Sequence, residues 1–96
     1  MNRRLIFSTI ARYDLTNIYD GIAQFNVAAA NRLKDRIRSS CRLLVVQPFV
    51  GSQYGEEFPG LRFLVVRKYV VYYRVYDDKI WIQRVIHSAR DASGLL

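Results

Sequence analysis

Cysteine and histidine occur once each in this chain, and proline only twice. A single cysteine, Cys41, excludes an internal disulfide, and together with the lone His87 it cannot build an ordinary structural zinc site. Cys41 falls on an apolar helical stripe, which predicts a buried, inert thiol rather than a nucleophile. No window approaches a membrane span. Met1-Asn2-Arg3-Arg4 leads directly into a strand-like segment, with no apolar signal region of sufficient length. A cytoplasmic protein without metal, cofactor or membrane contact is therefore expected. Repeats, linkers and low-complexity stretches are also missing, so residues 1–96 are expected to form one domain around one modest core.

What is abundant is apolar and cationic. Hydrophobic residues make up 51% and aromatics 14%, with seven tyrosines, enough to drive folding. Fifteen Lys+Arg against eight Asp+Glu give a net charge of +7. Arginine outnumbers lysine twelve to three, which favours bidentate recognition of carboxylates or phosphates over diffuse attraction. An acidic partner is implied: nucleic acid, an acidic protein, or both.

Arg3 to Ser8 reads as a short strand, with Ser8 or Thr9 placed to cap a helix. Between Ala11 and Asn26, Leu15, Ile18, Tyr19, Ile22 and Phe25 recur at helical spacing and predict one buried stripe. Gly21 weakens that helix by roughly 1 kcal/mol relative to alanine, so a close helix-to-helix contact is expected there. Asn26 can end the first helix and cap a second, Val27 to Leu44, whose stripe is Ala30, Leu33, Ile37, Cys41 and Leu44. Its other faces carry Arg32, Lys34, Arg36, Arg38 and Arg42, relieved only by Asp35. The short connection makes the pair an antiparallel hairpin. Pro48, Gly51 and Gly55 then define one long loop, Gln47 to Gly60, holding both glutamates, Glu56 and Glu57.

From Leu61 the composition turns to Val, Ile, Tyr, Phe and Trp, the residues of strands. Arg67-Lys68 and Asp77-Asp78-Lys79 divide it into strands at 61–67, 69–76 and 79–87. Neither turn carries Asn-Gly, so register is not fixed by turn chemistry. The expected order is β-α-α-β-β-β, an α+β fold with the helical hairpin packed on a small, mainly antiparallel sheet. In the last strand, simple alternation puts His87 with Trp81, Gln83 and Val85, and Arg84 with Ile80, Ile82 and Ile86. Both sets are mixed, and a β-bulge near Arg84 would reassign them. A lone histidine at a strand end usually makes a local hydrogen bond, here to the long loop or Asp91. Arg90 and Asp91 can pair with neighbouring charges, and Leu95-Leu96 form an apolar tip.

Four stretches together carry a resemblance: DLTNIYDGIAQFN (Asp14 to Asn26), Pro59-Gly60-Leu61-Arg62, YVVYYRV (Tyr69 to Val75) and RVIHSARD (Arg84 to Asp91). In this order and spacing they resemble the ParE/RelE superfamily, the toxins of bacterial type II toxin–antitoxin modules, and most closely its ParE, or plasmid stabilization, branch. The resemblance implies two helices packed on a small sheet and a cognate, acidic antitoxin that wraps the toxin. ParE-type members inhibit DNA gyrase, whereas RelE-type members cleave messenger RNA on the ribosome. A toxin-like remnant that only binds its antitoxin is a third reading.

RNA cleavage by 2′-hydroxyl attack needs a base, an acid and cations for the developing phosphate charge. RelE-type enzymes supply Arg and Lys on the sheet with a tyrosine, or a histidine–tyrosine pair, near the C-terminus, and a related branch adds a loop glutamate. The matching candidates here are Glu57 (or Glu56) as base, Arg62, Arg67 and Arg84 for phosphate, and His87 as acid. The departure is Ser-Ala-Arg-Asp-Ala-Ser-Gly-Leu-Leu after His87, with no aromatic. Tyr72, Tyr73 and Tyr76 lie in a strand where packing is the expected role. A gyrase-binding toxin is therefore the favoured reading, with Arg32, Arg36, Arg62, Arg67, Arg84 and Arg90 as candidates for contact with target or antitoxin.

Overall fold

The computed structural model describes residues 3–96; Met1 and Asn2 of the N-terminal lead-in lie outside them. Strand β1 (Arg4–Phe7) is followed by α1 (Thr9–Ala23), α2 (Val27–Val46), β2 (Ser52–Gln53), β3 (Leu61–Val66), β4 (Tyr69–Val75) and β5 (Lys79–His87). The sheet order is β1-β5-β4-β3-β2, with β1 parallel to β5 and every other pairing antiparallel. The fold is α+β, two helices on a mostly antiparallel sheet, as the hydrophobic periodicities require. A short fifth strand, β2, lies inside the segment expected to be all loop, paired with Phe63 and Arg62 of β3.

Ser8 joins sheet to helix. Its N–H donates to the Ile82 carbonyl, its hydroxyl donates to the Gln83 carbonyl, and its oxygen accepts from Ala11 N–H at 2.9 Å. One residue thus ends β1 on β5 and caps α1. Asn26 does the same for α2, accepting from Ala29 N–H. Ala30, Ile37, Cys41 and Leu44 are buried and Leu33 packs beside them, as the stripe predicts. The α1 stripe stops earlier than expected. Phe25 sits in the interhelical turn and is 89% exposed, because the chain leaves the helix at Ala23 to let Asn26 cap α2. Gly21 makes no close contact either: a Cβ there would meet nothing within 4 Å.

The main core lies between the helices and the sheet, around Ile37, Leu44, Val71, Tyr73, Ile80, Ile82 and Val85. Each large apolar side chain buried there contributes roughly 1.5–3 kcal/mol. Tyr73 is fully buried, so its hydroxyl needs partners; it donates to the Pro48 carbonyl at 2.8 Å and accepts from Gly51 N–H at 3.1 Å. Gly51 has no alternative at this point, since a Cβ would lie 2.5 Å from both the Phe63 carbonyl oxygen and the Tyr73 hydroxyl. The opposite face of the sheet is also covered. Leu61, Val70, Tyr72, Ile86 and Ala92 form a second cluster, closed by Tyr54 and Phe58 of the loop and by Leu95 and Leu96. The apolar tip of the chain therefore packs on its own sheet.

The register shifts between Tyr72 and Tyr73, which pair with Arg84 and Ile82, leaving Gln83 as a bulge. The Gln83 carbonyl accepts from Ser8, and its side-chain oxygen accepts from Arg74 Nε at 3.1 Å. This bulge reassigns the alternation of β5. His87 now shares the helix-facing side with Val85, Ile82 and Ile80, while Arg84 lies with Tyr72 on the opposite face.

Candidate functional site

Three of the candidate arginines converge. Arg32 and Arg36 stand one turn apart on α2, a spacing of roughly 6 Å along the axis, and both line an open groove together with Arg67 of the β3–β4 turn. The groove encloses about 700 Å³, and Ser39, Ser40 and one carboxylate, Asp35, complete its polar lining. All three arginines are exposed. Among the described residues the one ion pair is elsewhere, so no carboxylate neutralises this cluster at contact distance. Arg67 is also the one described non-glycine residue with positive φ, at 57°. Positive φ at the first of two loop residues is the II′ hairpin pattern, which normally takes glycine there.

The remaining arginines of the candidate set are placed differently. Arg84 forms a two-pronged pair with Asp14 of α1, Nε to Oδ2 at 2.8 Å and the second prong to Oδ1 at 2.9 Å. Its third nitrogen donates to the Leu95 carbonyl at 3.1 Å, and Asp14 also accepts from Val85 N–H. The hydrogen bond to Asp14 raises the Arg84 pKa further, against the opposing effect of burial. Arg62 donates to the carbonyls of Phe49 and Gly51 and lies over the Phe49 ring, holding the loop that follows α2. Arg90 is exposed, its backbone N–H donating to the His87 carbonyl.

His87 ends β5 opposite Tyr69, with ring centroids 5.2 Å apart edge to face. Its Nδ1 accepts from Ala89 N–H at 3.0 Å, so this hydrogen bond assigns the proton of the neutral ring to Nε2. A local hydrogen bond is present, but its partner is Ala89, neither the long loop nor Asp91. Asp91 instead accepts from the backbone N–H and hydroxyl of Ser93, which lower its carboxyl below the usual range. Glu57 lies exposed in the loop entering β3 at Leu61, whereas His87 sits beside the Val66 end of the same sheet. The five steps from Leu61 to Val66 span roughly 16 Å. Glu57 and His87 are therefore not brought together, and Arg84 is engaged by Asp14 between them. Burial, helped by Tyr54 and Asp91, raises the Tyr72 phenol above its ordinary value, which opposes its use as a base at neutral pH.

Cys41 is fully buried and its thiol is pushed up to about 12 by that burial, so it is inert as a nucleophile. No cluster of three metal-ligating side chains occurs among the described residues. None of their helices is long and apolar enough to cross a membrane.

Sequence reasoning overlooked Asp14. The one legible signal was its position: Ala11, Asp14, Leu15 and Ile18 share a helix face, so a carboxylate interrupts the apolar stripe and needs a cation opposite.

A family model described as the ParE toxin of type II toxin–antitoxin systems, parDE, matches residues 5–92. Toxin RelE2 of Caulobacter vibrioides is 33% identical over 87 residues, covering 91% of this chain and 97% of that protein. Among solved structures, a chain of the chromosomal ParDE toxin–antitoxin system from P. aeruginosa superposes with a TM-score of 0.75 at 24% identity, covering 88% of this chain and 95% of that one. A chain of the toxin–antitoxin complex RelBE2 from Mycobacterium tuberculosis gives 0.62 at 26% identity, covering 91% and 99%. With the match running through both helices and all five strands, this chain belongs to the ParE toxin family of type II toxin–antitoxin systems.

Proposed function

We propose that this toxin acts in the cytoplasm by binding DNA gyrase and stalling it on DNA, and that a cognate acidic antitoxin neutralises it. The observation that carries this reading is the dispersal of the nuclease candidates. Glu57 and His87 lie at opposite ends of the sheet, and Arg84 is held by Asp14 and the Leu95 carbonyl. Acid–base catalysis on a phosphodiester needs its groups within hydrogen-bond reach of one substrate. A binding toxin needs only a complementary surface. The antitoxin partner is supported by structural neighbours that are toxin–antitoxin complexes, and the net charge of +7 suits an acidic one.

The test is supercoiling by purified gyrase with increasing pure toxin. Inhibition that antitoxin reverses is expected; unaffected supercoiling at saturating toxin refutes the reading. The second reading, a ribosome-dependent mRNA endoribonuclease, draws on the relative named Toxin RelE2 and on the exposed position of His87. Codon-phased transcript cuts on induction that vanish in His87→Ala establish it instead. Unimpaired growth on overexpression without antitoxin identifies the third reading, an inactive antitoxin-binding protein.

A further inference from the structure

The groove between α2 and the β3–β4 turn has a composition that neither helix packing nor the turn requires. We infer that it is a phosphodiester-binding site, in which Arg32, Arg36 and Arg67 hold the sugar–phosphate backbone of a nucleic acid strand. Guanidinium groups match phosphate oxygens in bidentate geometry. The Ser39 and Ser40 hydroxyls supply further neutral donors along the same wall. The spacing of Arg32 and Arg36, one helical turn, is of the order of one nucleotide step along a strand.

Two features separate this site from a general excess of charge. First, the arginines of the three long strands are engaged by internal partners, Arg84 by Asp14, Arg62 through Nη2 by two loop carbonyls and Arg74 by the Pro59 carbonyl and Gln83. Those of the groove have no such partner. Second, Arg67 occupies a positive-φ backbone conformation that costs most non-glycine residues roughly 1–2 kcal/mol. Glycine or asparagine fits that position better, so the charge is placed against the local preference, which is the pattern of a residue serving a ligand.

A nucleic acid fits this groove better than an acidic peptide. A bound helix or strand of protein anchors itself through apolar side chains in pockets. Here Leu33 is the single apolar side chain of the lining. Asp35 is the opposing group, a carboxylate on an otherwise cationic wall, and it makes the inference testable in both directions. Direct binding of a strand by this surface is independent of whether gyrase is the target.

The experiment is fluorescence anisotropy with the full chain, using a short labelled duplex DNA, a single-stranded RNA of the same length and a polyglutamate peptide of matched charge. The triple variant R32Q/R36Q/R67N is compared with the charge-matched R12Q/R38Q/R42Q, whose residues lie outside this groove. The groove variant is expected to bind nucleic acid at least tenfold more weakly, and its salt slope to be shallower by about 2.7 for the duplex and about 2.1 for the single strand. The control variant should lose far less. Asp35→Asn should tighten binding several-fold, a gain that a damaged fold cannot produce. A preference between the DNA and RNA arms assigns the source of the strand. Equal losses in the two triple variants, binding confined to the polyglutamate peptide, or no binding to either nucleic acid overturns the inference.

Discussion

Replacing Asp14 by asparagine isolates the interaction that ties α1 to the last strand across a sequence separation of 70 residues. Asparagine keeps the shape and an oxygen for Val85 N–H, but it removes the charge that both prongs of Arg84 meet. The side chains of Arg84 and Asp14 are 15% and 12% exposed, so the pair is largely but not wholly withdrawn from water. Removing one partner of a buried pair is destabilising by about 3–5 kcal/mol, and exposed pairs contribute about 0–1. The residual exposure argues for the lower end of the first range, about 3 kcal/mol. Whole-chain stability for this size is roughly 5–14 kcal/mol, so the variant should remain folded but visibly weakened. Trp81, the one tryptophan, lies three residues before Arg84 in β5 and reports the transition by fluorescence. With a urea slope near 1.5 kcal/mol/M, the midpoint should fall by roughly 2 M. The double variant D14N/R84Q should recover at least about 1 kcal/mol of that loss, because no unpaired guanidinium remains. A midpoint shift below about 0.7 M, or losses in the double variant that simply add, would falsify the claim that this pair is coupled.

The buried Cys41 thiol makes stability fall at alkaline pH. Its pKa of about 12 exceeds the unfolded value near 8.5, so above pH 9 the unfolded state sheds the proton first. Stability is full below that unfolded pKa and declines by up to about 1.4 kcal/mol per pH unit until about pH 12. Denaturation of Cys41→Ala from pH 8 to 11 should show a shallower decline than the parent; parallel curves refute the assignment. Gly51→Ala should destabilise by about 3 kcal/mol or more, because its Cβ would strike a backbone oxygen and the bonded Tyr73 hydroxyl. A melting temperature within a degree or two of the parent contradicts that geometry. Arg67→Gly should raise stability by about 0.5–1 kcal/mol through relief of its positive φ, readable as a higher urea midpoint; an unchanged or lower midpoint shows that the turn is not strained.

Local signals carried most of the fold. Ser8 and Asn26 are short-range caps, and both were readable from their position before an apolar stripe. The bounds of the last strand, 79–87, followed from its β-branched and aromatic run. Phe25 failed because periodicity cannot see that α1 stops at Ala23, with Gln24 as its C-cap, before the chain turns into the Asn26 cap of α2. The face assignment of His87 and Arg84 failed for one residue, Gln83, whose bulge is fixed by Ser8 from the far end of the chain. β2 is only two residues long and is defined by its neighbour rather than by its own composition. The convergence of Arg32 and Arg36 with Arg67 was likewise invisible, since it depends on how α2 lies against the β3–β4 turn. Apart from Phe25, each miss concerns a contact between residues distant in sequence.

The same distance decides how the net charge of +7 should be understood. In sequence, all twelve arginines look alike. In the fold they divide by what surrounds them. Arg62, Arg74 and Arg84 sit on the strands with carbonyls and a carboxylate in reach, so their charge goes into holding the loop, the bulge and α1. These groups would have to break existing bonds before taking a phosphate, which removes the electrostatic advantage that a sheet-face catalytic site requires. Arg32, Arg36 and Arg67 break nothing on binding. On the proposed phosphodiester site, anion affinity would lie on the flank of α2 rather than on the face of the sheet, and a surface that binds without reorganising would suit the proposed action by occupancy.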